Sequence, residues 1–284
     1  MIRKRIIALA VALCILIGTV FFFYIRADVW FYIEDALRFP APLALSEVSD
    51  PEDAKVWHLE TLMLHENVTV SNVLMLVNRE HPLPRDYEAV LEDYNGARMH
   101  PLMVEPYVSL RDRVEALTDV RIYVSSDYRT KEEQEEILAE SPDGIAAGVG
   151  CSEHEAGLAL DVYAPYYAGE SFLRSPAGRS VNRICSDYGF IIRYPREKES
   201  VTGISYEPWH LRYVGAPHAS LMTEARLTLE EYIEVLTPEV WFSHDEYLIL
   251  RTAEKSVALP TDWEQCEISP DNTGYTVITL KMAD

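Results

Sequence analysis

The hydrophobic positions change texture three times along this chain. The first texture is an uncharged stretch from Ile6 to Ile25, preceded by Arg3, Lys4 and Arg5 and closed by Arg26. Those twenty residues would make a helix of about 30 Å, enough to cross a hydrocarbon core. The basic bias before the stretch predicts a cytoplasmic N-terminus and an extracytoplasmic remainder. A cleaved signal peptide is the alternative, but its apolar region would usually be shorter and end in small residues. This one ends Phe21-Phe22-Phe23-Tyr24. The expectation is a transmembrane anchor over 1–27 and a single-pass protein of the cell membrane.

The second texture is mixed α and β. Residues 28–67 are interrupted by Pro40, Pro42 and Pro51 and read as a stalk. Val68 to Val77 is apolar and β-branched, as in a strand, before the loop Asn78–Pro84. Val108, Leu110, Val114 and Leu117 have helical spacing, and Arg121 to Val124 reads as a short strand. Thr130 with Glu133 forms a capping-box signature, predicting a helix over Lys131–Glu140 that Pro142, Asp143 and Gly144 end. Leu158, Leu160 and Val162 alternate with Ala159, Asp161 and Tyr163, which predicts a strand. Trp209, Leu211 and Tyr213 alternate likewise with His210, Arg212 and Val214, in a strand entered through Pro208. The third texture begins near Arg226: a helix over 227–236 and strands over 247–251 and 275–281 suggest a small α+β appendage at 223–284.

Composition narrows the function classes. Hydrophobic residues make up 48% and charged residues 25% of 284, an ordinary globular balance. Acids outnumber bases 46 to 25, for a net charge of −21, and all 46 acids lie after the apolar stretch. Such a surface repels phosphate backbones and excludes a sequence-independent nucleic-acid binder. Cys151, Cys185 and Cys266 lie in the exported part, so it holds at most one internal bridge. Cys151–Cys185 is the pair to test, with three free thiols as the alternative.

Candidate chemistry concentrates between residues 126 and 215. Asp161 sits within an apolar strand, where a carboxylate is costly unless paired or bound to a metal. Gly157 lets the chain turn so that His154 can swing toward it. Glu207 lies just before the second strand, three positions from His210. Two histidines and one carboxylate form a three-ligand zinc set with a fourth position open, as in catalytic sites. An unligated glutamate nearby suits a general base. Spacing alone leaves open whether the two clusters meet.

Four motifs occur in order: Ser126-x-Tyr128-Arg129 with Gln134 following, Ser152-x-His154-x-x-Gly157-x-Ala159-x-Asp161, Gly189-Phe190-x-x-Arg193-Tyr194-Pro195, and Glu207-Pro208-Trp209-His210-x-Arg212-Tyr213-Val214-Gly215. Together they resemble the VanY-like D-alanyl-D-alanine carboxypeptidases, zinc peptidases that also include L,D-carboxypeptidases of the LdcB type. The loop from Leu76 to Pro84 resembles that family's opening segment. The resemblance covers about residues 68–220, so a catalytic domain is expected over 68–222.

The resemblance implies an α+β fold: a small antiparallel sheet flanked by helices and carrying a zinc site, as in hedgehog and DD-peptidase domains. One transmembrane helix would precede it and the α+β appendage follow. It implies Zn2+ held by His154, Asp161 and His210, with Glu207 as general base and later proton donor. Arg129 would polarise the substrate carbonyl, and Gln134 and Ser152 would line the peptide cleft. The plainer roles are a salt bridge to Asp127 for Arg129 and a turn hydroxyl for Ser152. Asp127 stands where the family usually has glycine, and Cys151 could add a soft ligand. The implied activity removes the terminal D-alanine from peptidoglycan stem peptides, in a protein without nucleic-acid partners. The alternatives are an L,D-carboxypeptidase acting on tetrapeptide stems, a non-catalytic zinc-bearing module that binds muropeptides, and an anchored scaffold whose tail docks partners.

Overall fold

The computed structural model describes the backbone of residues 2–51, 53–140 and 147–283; within the first helix it describes only the side chains of residues 5, 11–20 and 22. In chain order, α1 (Ile2–Ile25), α2 (Ala27–Leu37), β1 (Ser46–Val48), β2 (Ala54–His58), α3 (Leu59–Leu62) and β3 (Val68–Val70) precede the four sequence motifs. These are followed by β4 (Glu92–Tyr94), β5 (Ala97–Met99), α4 (Pro101–Thr118), β6 (Tyr123–Ser126) and α5 (Lys131–Glu140). Then come β7 (Ala159–Tyr163), α6 (Pro176–Ile184), β8 (Phe190–Ile192), α7 (Glu199–Thr202) and β9 (His210–Tyr213). The chain closes with α8 (His218–Ala225), α9 (Leu229–Val235), β10 (Trp241–His244), β11 (Tyr247–Thr252), β12 (Ser256–Pro260), β13 (Trp263–Pro270) and β14 (Thr276–Met282).

The site rests on a four-stranded sheet of order β6-β7-β9-β8, with every neighbouring pair antiparallel. Leu158, Leu160 and Val162 are buried in the main core with Leu211, Phe190, Val114 and Leu110, as the alternation in this strand predicts. The opposite face carries Asp161. α5 spans the predicted residues, and its capping box is formed: Glu133 N–H donates to Thr130 Oγ1 (3.2 Å) and Thr130 N–H to Glu133 Oε2 (2.7 Å). Its predicted stop at 142–144 lies outside the described residues.

Three expectations change on contact with the structure. The strand expected over 68–77 is limited to β3, because residues 73–77 leave the sheet to run buried through the core. There Arg212 Nη2 donates to the Val73 and Met75 carbonyls at 2.9 and 2.8 Å, replacing ladder hydrogen bonds. The tail holds β10, β12 and β13 besides the elements read from its sequence, and α8 leads into it. All four cysteines are free: Cys185 is sealed in the core, whereas Cys151 is half-exposed with its thiol directed at the Val149 carbonyl (3.8 Å).

The segments read as stalk and appendage share sheets. The six-stranded order is β1-β10-β11-β14-β13-β3, with β3 parallel to β13, and β2 pairs antiparallel with β12. Segment 28–67 thus covers strand edges that the tail would otherwise expose. Leu62, Trp241, Leu250, Ile268 and Ile278 form a second core on this sheet. Upstream, α2 lies against the rest of the chain through a Glu34–Arg183 ion pair and an edge contact of Tyr32 with Tyr206, and it reaches the start of the tail through Asp35–Arg226. Among the described residues, no helix is long and apolar enough to cross a membrane, and much of the expected anchor's side-chain sequence lies outside them.

Candidate active site

Sheet register builds the site. Ser126, Asp161 and His210 are direct neighbours across β6, β7 and β9, which projects their side chains from one face. A bulge between Val124 and Ser126 breaks the β6 ladder beside this rung. His154 arrives from the turn before β7. Gly157 makes that turn possible: its φ is +72°, and a Cβ there would lie 2.8 Å from Leu91 Cδ2.

His154, Asp161 and His210 converge, each offering one ligand atom within 4.8 Å of the others. Asp161 Oδ2 is 3.4 Å from His154 Nε2, and Asp161 Oδ1 is 3.0 Å from His210 Nδ1. Ligand atoms on a tetrahedral zinc ion at ~2.05 Å are roughly 3.3 Å apart. The spacing therefore fits. Buried His154 Nε2 and Asp161 Oδ1 have no hydrogen-bond partner among the described residues, an expensive arrangement that a cation would relieve. Cys151 is not part of this ligand group.

The neighbouring chain fixes each ligand. His154 Nδ1 lies 2.7 Å from the Asp127 carbonyl, which assigns its proton to Nδ1 and leaves Nε2 for a metal. Asp127 in turn accepts from the Arg98 backbone N–H (2.6 Å), while Tyr128 N–H donates to the Arg98 carbonyl (3.0 Å). The hairpin β4–β5 thus braces the loop. The Asp127 side chain becomes a strut, and its salt-bridge partner is Arg98 rather than Arg129.

Arg129 faces the site. It donates from Nε and Nη2 to Ser126 Oγ (3.2 and 3.1 Å) and from Nη1 to Gln134 Oε1 (3.0 Å), and Nη2 stands 3.6 Å from Asp161 Oδ2. Gln134 is buried and donates to the Ala147 carbonyl (2.7 Å). It holds Arg129 instead of lining a cleft wall. Ser152 is buried in the turn before His154.

Glu207 Oε2 lies 3.7 Å from His210 Nδ1, on a turn pinned by Asn182 Nδ2 donating to the Pro208 carbonyl (2.8 Å). Burial raises the Glu207 carboxyl above its ordinary range, with Asp161 adding to the shift and His210 and Arg129 opposing it. Burial would also raise Asp161, but both histidines hold it well below the carboxylate range. Burial disfavours a charged His210, yet Asp161 and Glu153 outweigh it and raise its pKa to about 9 in the metal-free protein. His154 is lowered by burial.

Sequence reading missed Glu153, a fully buried carboxylate between His210 and two arginines. A Glu between two site residues ordinarily reads as solvated. Its arginine partners lie 40 and 59 positions away.

The model of the family described as VanY, D-alanyl-D-alanine carboxypeptidase, matches residues 96–216. A D-alanyl-D-alanine carboxypeptidase of Enterococcus faecium is 31% identical over 245 residues, covering 78% of each chain. A crystallised variant of the vancomycin resistance D,D-pentapeptidase VanY, in complex with Zn(II), is 35% identical with a TM-score of 0.52, covering 57% of this chain and 98% of the other. The LdcB LD-carboxypeptidase is 31% identical with a TM-score of 0.53, covering 60% of this chain and 91% of its own.

Proposed function

This chain belongs to the VanY family of D-alanyl-D-alanine carboxypeptidases, and from that premise we propose that it removes the terminal D-alanine from peptidoglycan stem peptides. The observation that carries this reading is the convergence of His154, Asp161 and His210 beside a carboxyl whose proton affinity burial has raised. A module that only binds would require neither Glu207 nor Arg129 at that position.

His154 through Nε2, Asp161 through its carboxylate and His210 through Nδ1 would hold Zn2+. Bound there, the ion supplies Lewis-acid polarisation of the scissile carbonyl and makes water nucleophilic at neutral pH. Glu207 takes the proton from the attacking water and passes it to the departing D-alanine amine. A raised pKa suits both halves of that transfer. Arg129, held by Ser126 and Gln134, directs a permanently charged guanidinium at the carbonyl oxygen as negative charge develops. Asp161 beside Arg129 keeps that guanidinium from drifting.

The same proposal sets the protein in the cell membrane. Arg3, Lys4 and Arg5 before the uncharged Ile6–Ile25 stretch support a cytoplasmic N-terminus and an extracytoplasmic site. The peptide substrates are there.

The test is D-alanine release from a muropeptide ending in D-Ala-D-Ala, assayed beside the matching tetrapeptide. Release from the pentapeptide, lost with chelator and reduced roughly 10²–10⁴-fold in Glu207→Gln, is expected. Preferential release from the tetrapeptide would assign L,D-specificity. Zinc binding without release from either peptide would reduce the chain to a binding module.

A further inference from the structure

Glu153 has no exposed surface and one idle oxygen. Its Oε1 accepts from Arg193 Nε (2.6 Å) and Arg212 Nη1 (2.8 Å). Among the described residues its Oε2 makes no hydrogen bond and lies 3.5 Å from His210 Nε2, itself buried and likewise without a partner there. The other nitrogen of that ring, Nδ1, is 3.0 Å from Asp161 Oδ1 and belongs to the ligand group. Two orphaned atoms on the far side of a ligand therefore face each other.

We propose that Glu153 is a positioning residue that accepts a proton-bearing His210 Nε2 and so presents the Nδ1 lone pair to zinc. This rests on the reading of His210 as a zinc ligand. The geometry extends outward. Arg193 Nη1 and Nη2 grip Glu230 Oε2 and Oε1 on α9 at 2.9 and 2.6 Å, a two-pronged contact beyond residues 96–216. Arg212 is committed to the Val73 and Met75 carbonyls. Two carboxylates and two guanidiniums thus make a neutral cluster, buried except where Glu230 reaches the surface. Glu230 holds Arg193 from the outside, which keeps Glu153 from collapsing onto Arg193 and away from His210. The tail of the chain thereby takes part in setting the metal's affinity.

Glu153→Gln is nearly isosteric, but it leaves one buried guanidinium charge uncompensated. If the amide oxygen keeps both arginines, its NH2 group turns toward His210 Nε2, a donor facing a donor. Zinc affinity, measured by competition with a chromophoric chelator, should fall roughly 10–100-fold in Glu153→Gln, the usual range for outer-sphere partners of a ligating histidine. Glu230→Gln should lower it by a smaller factor. Independently of any variant, long-range 1H–15N spectra of zinc-loaded wild-type protein should show His210 protonated at Nε2 and metal-bound at Nδ1.

Zinc bound at His210 through Nε2, or unchanged affinity in a folded Glu153→Gln protein, would overturn the proposal. Unchanged affinity in Glu230→Gln would remove the tail from it. Should Glu153→Gln not fold, the wild-type spectrum decides. If His210→Ala keeps full zinc affinity, the ligand reading itself fails, a result distinct from either of those.

Discussion

Asp161 and His210 stand directly opposite each other on antiparallel β7 and β9, with Oδ1 and Nδ1 3.0 Å apart. Strand register creates this pair, so their meeting requires no loop to order. Asp161→Asn keeps the shape and removes the charge. Zinc affinity should drop at least roughly 100-fold, since losing a ligand exceeds losing its support. Isothermal titration with zinc measures it.

Zinc uptake should depend on pH with a defined sign. Metal-free His210 holds its proton up to about 9, and a ligating nitrogen must give that proton up. Apparent affinity should therefore rise by about tenfold per pH unit from neutrality and level off once the free protein has lost the proton. Chelator competition between neutral pH and the plateau follows this directly, and a flat profile would mean that His210 is not the group displaced.

Arg129 and Gln134 should separate by magnitude. Arg129→Ala removes the donor to the developing oxyanion, with an expected loss of about 10²–10³-fold in kcat. Gln134→Ala leaves the guanidinium present but removes one of its two hydrogen-bond partners, and the loss should be smaller, up to roughly 10²-fold. Steady-state kinetics on one peptide compares them.

Much of this site is visible in the sequence because its parts are local. Alternation about Asp161 and about His210 gives both strands, and Gly157 marks the turn that brings in His154. Thr130 and Glu133 announce α5, which delivers Gln134. What the sequence conceals is long-range. Glu153 reads as solvated until Arg193 and Arg212 are folded around it. Val68–Val77 has the composition of one strand, yet its second half serves as an acceptor for Arg212. Asp127 lies two positions from Arg129 in sequence but is held by Arg98 from a hairpin. The edge strands β1 and β3 are too short to reveal that their partners lie near the other end of the chain.

Gly157 offers a test of local geometry. Gly157→Ala must place a Cβ 2.8 Å from Leu91 Cδ2 at a φ of +72°. A destabilisation of about 1–3 kcal/mol is expected in denaturant unfolding of the metal-free protein. Zinc affinity should fall with it, because the same turn carries His154.

The most direct measurement is anomalous diffraction at the zinc edge from crystals of the zinc-loaded protein. One peak is expected at about 2.0–2.1 Å from His154 Nε2, His210 Nδ1 and an Asp161 oxygen, with Glu207 outside bonding distance. A peak elsewhere, or one in which Glu207 replaces any of the three, would contradict it.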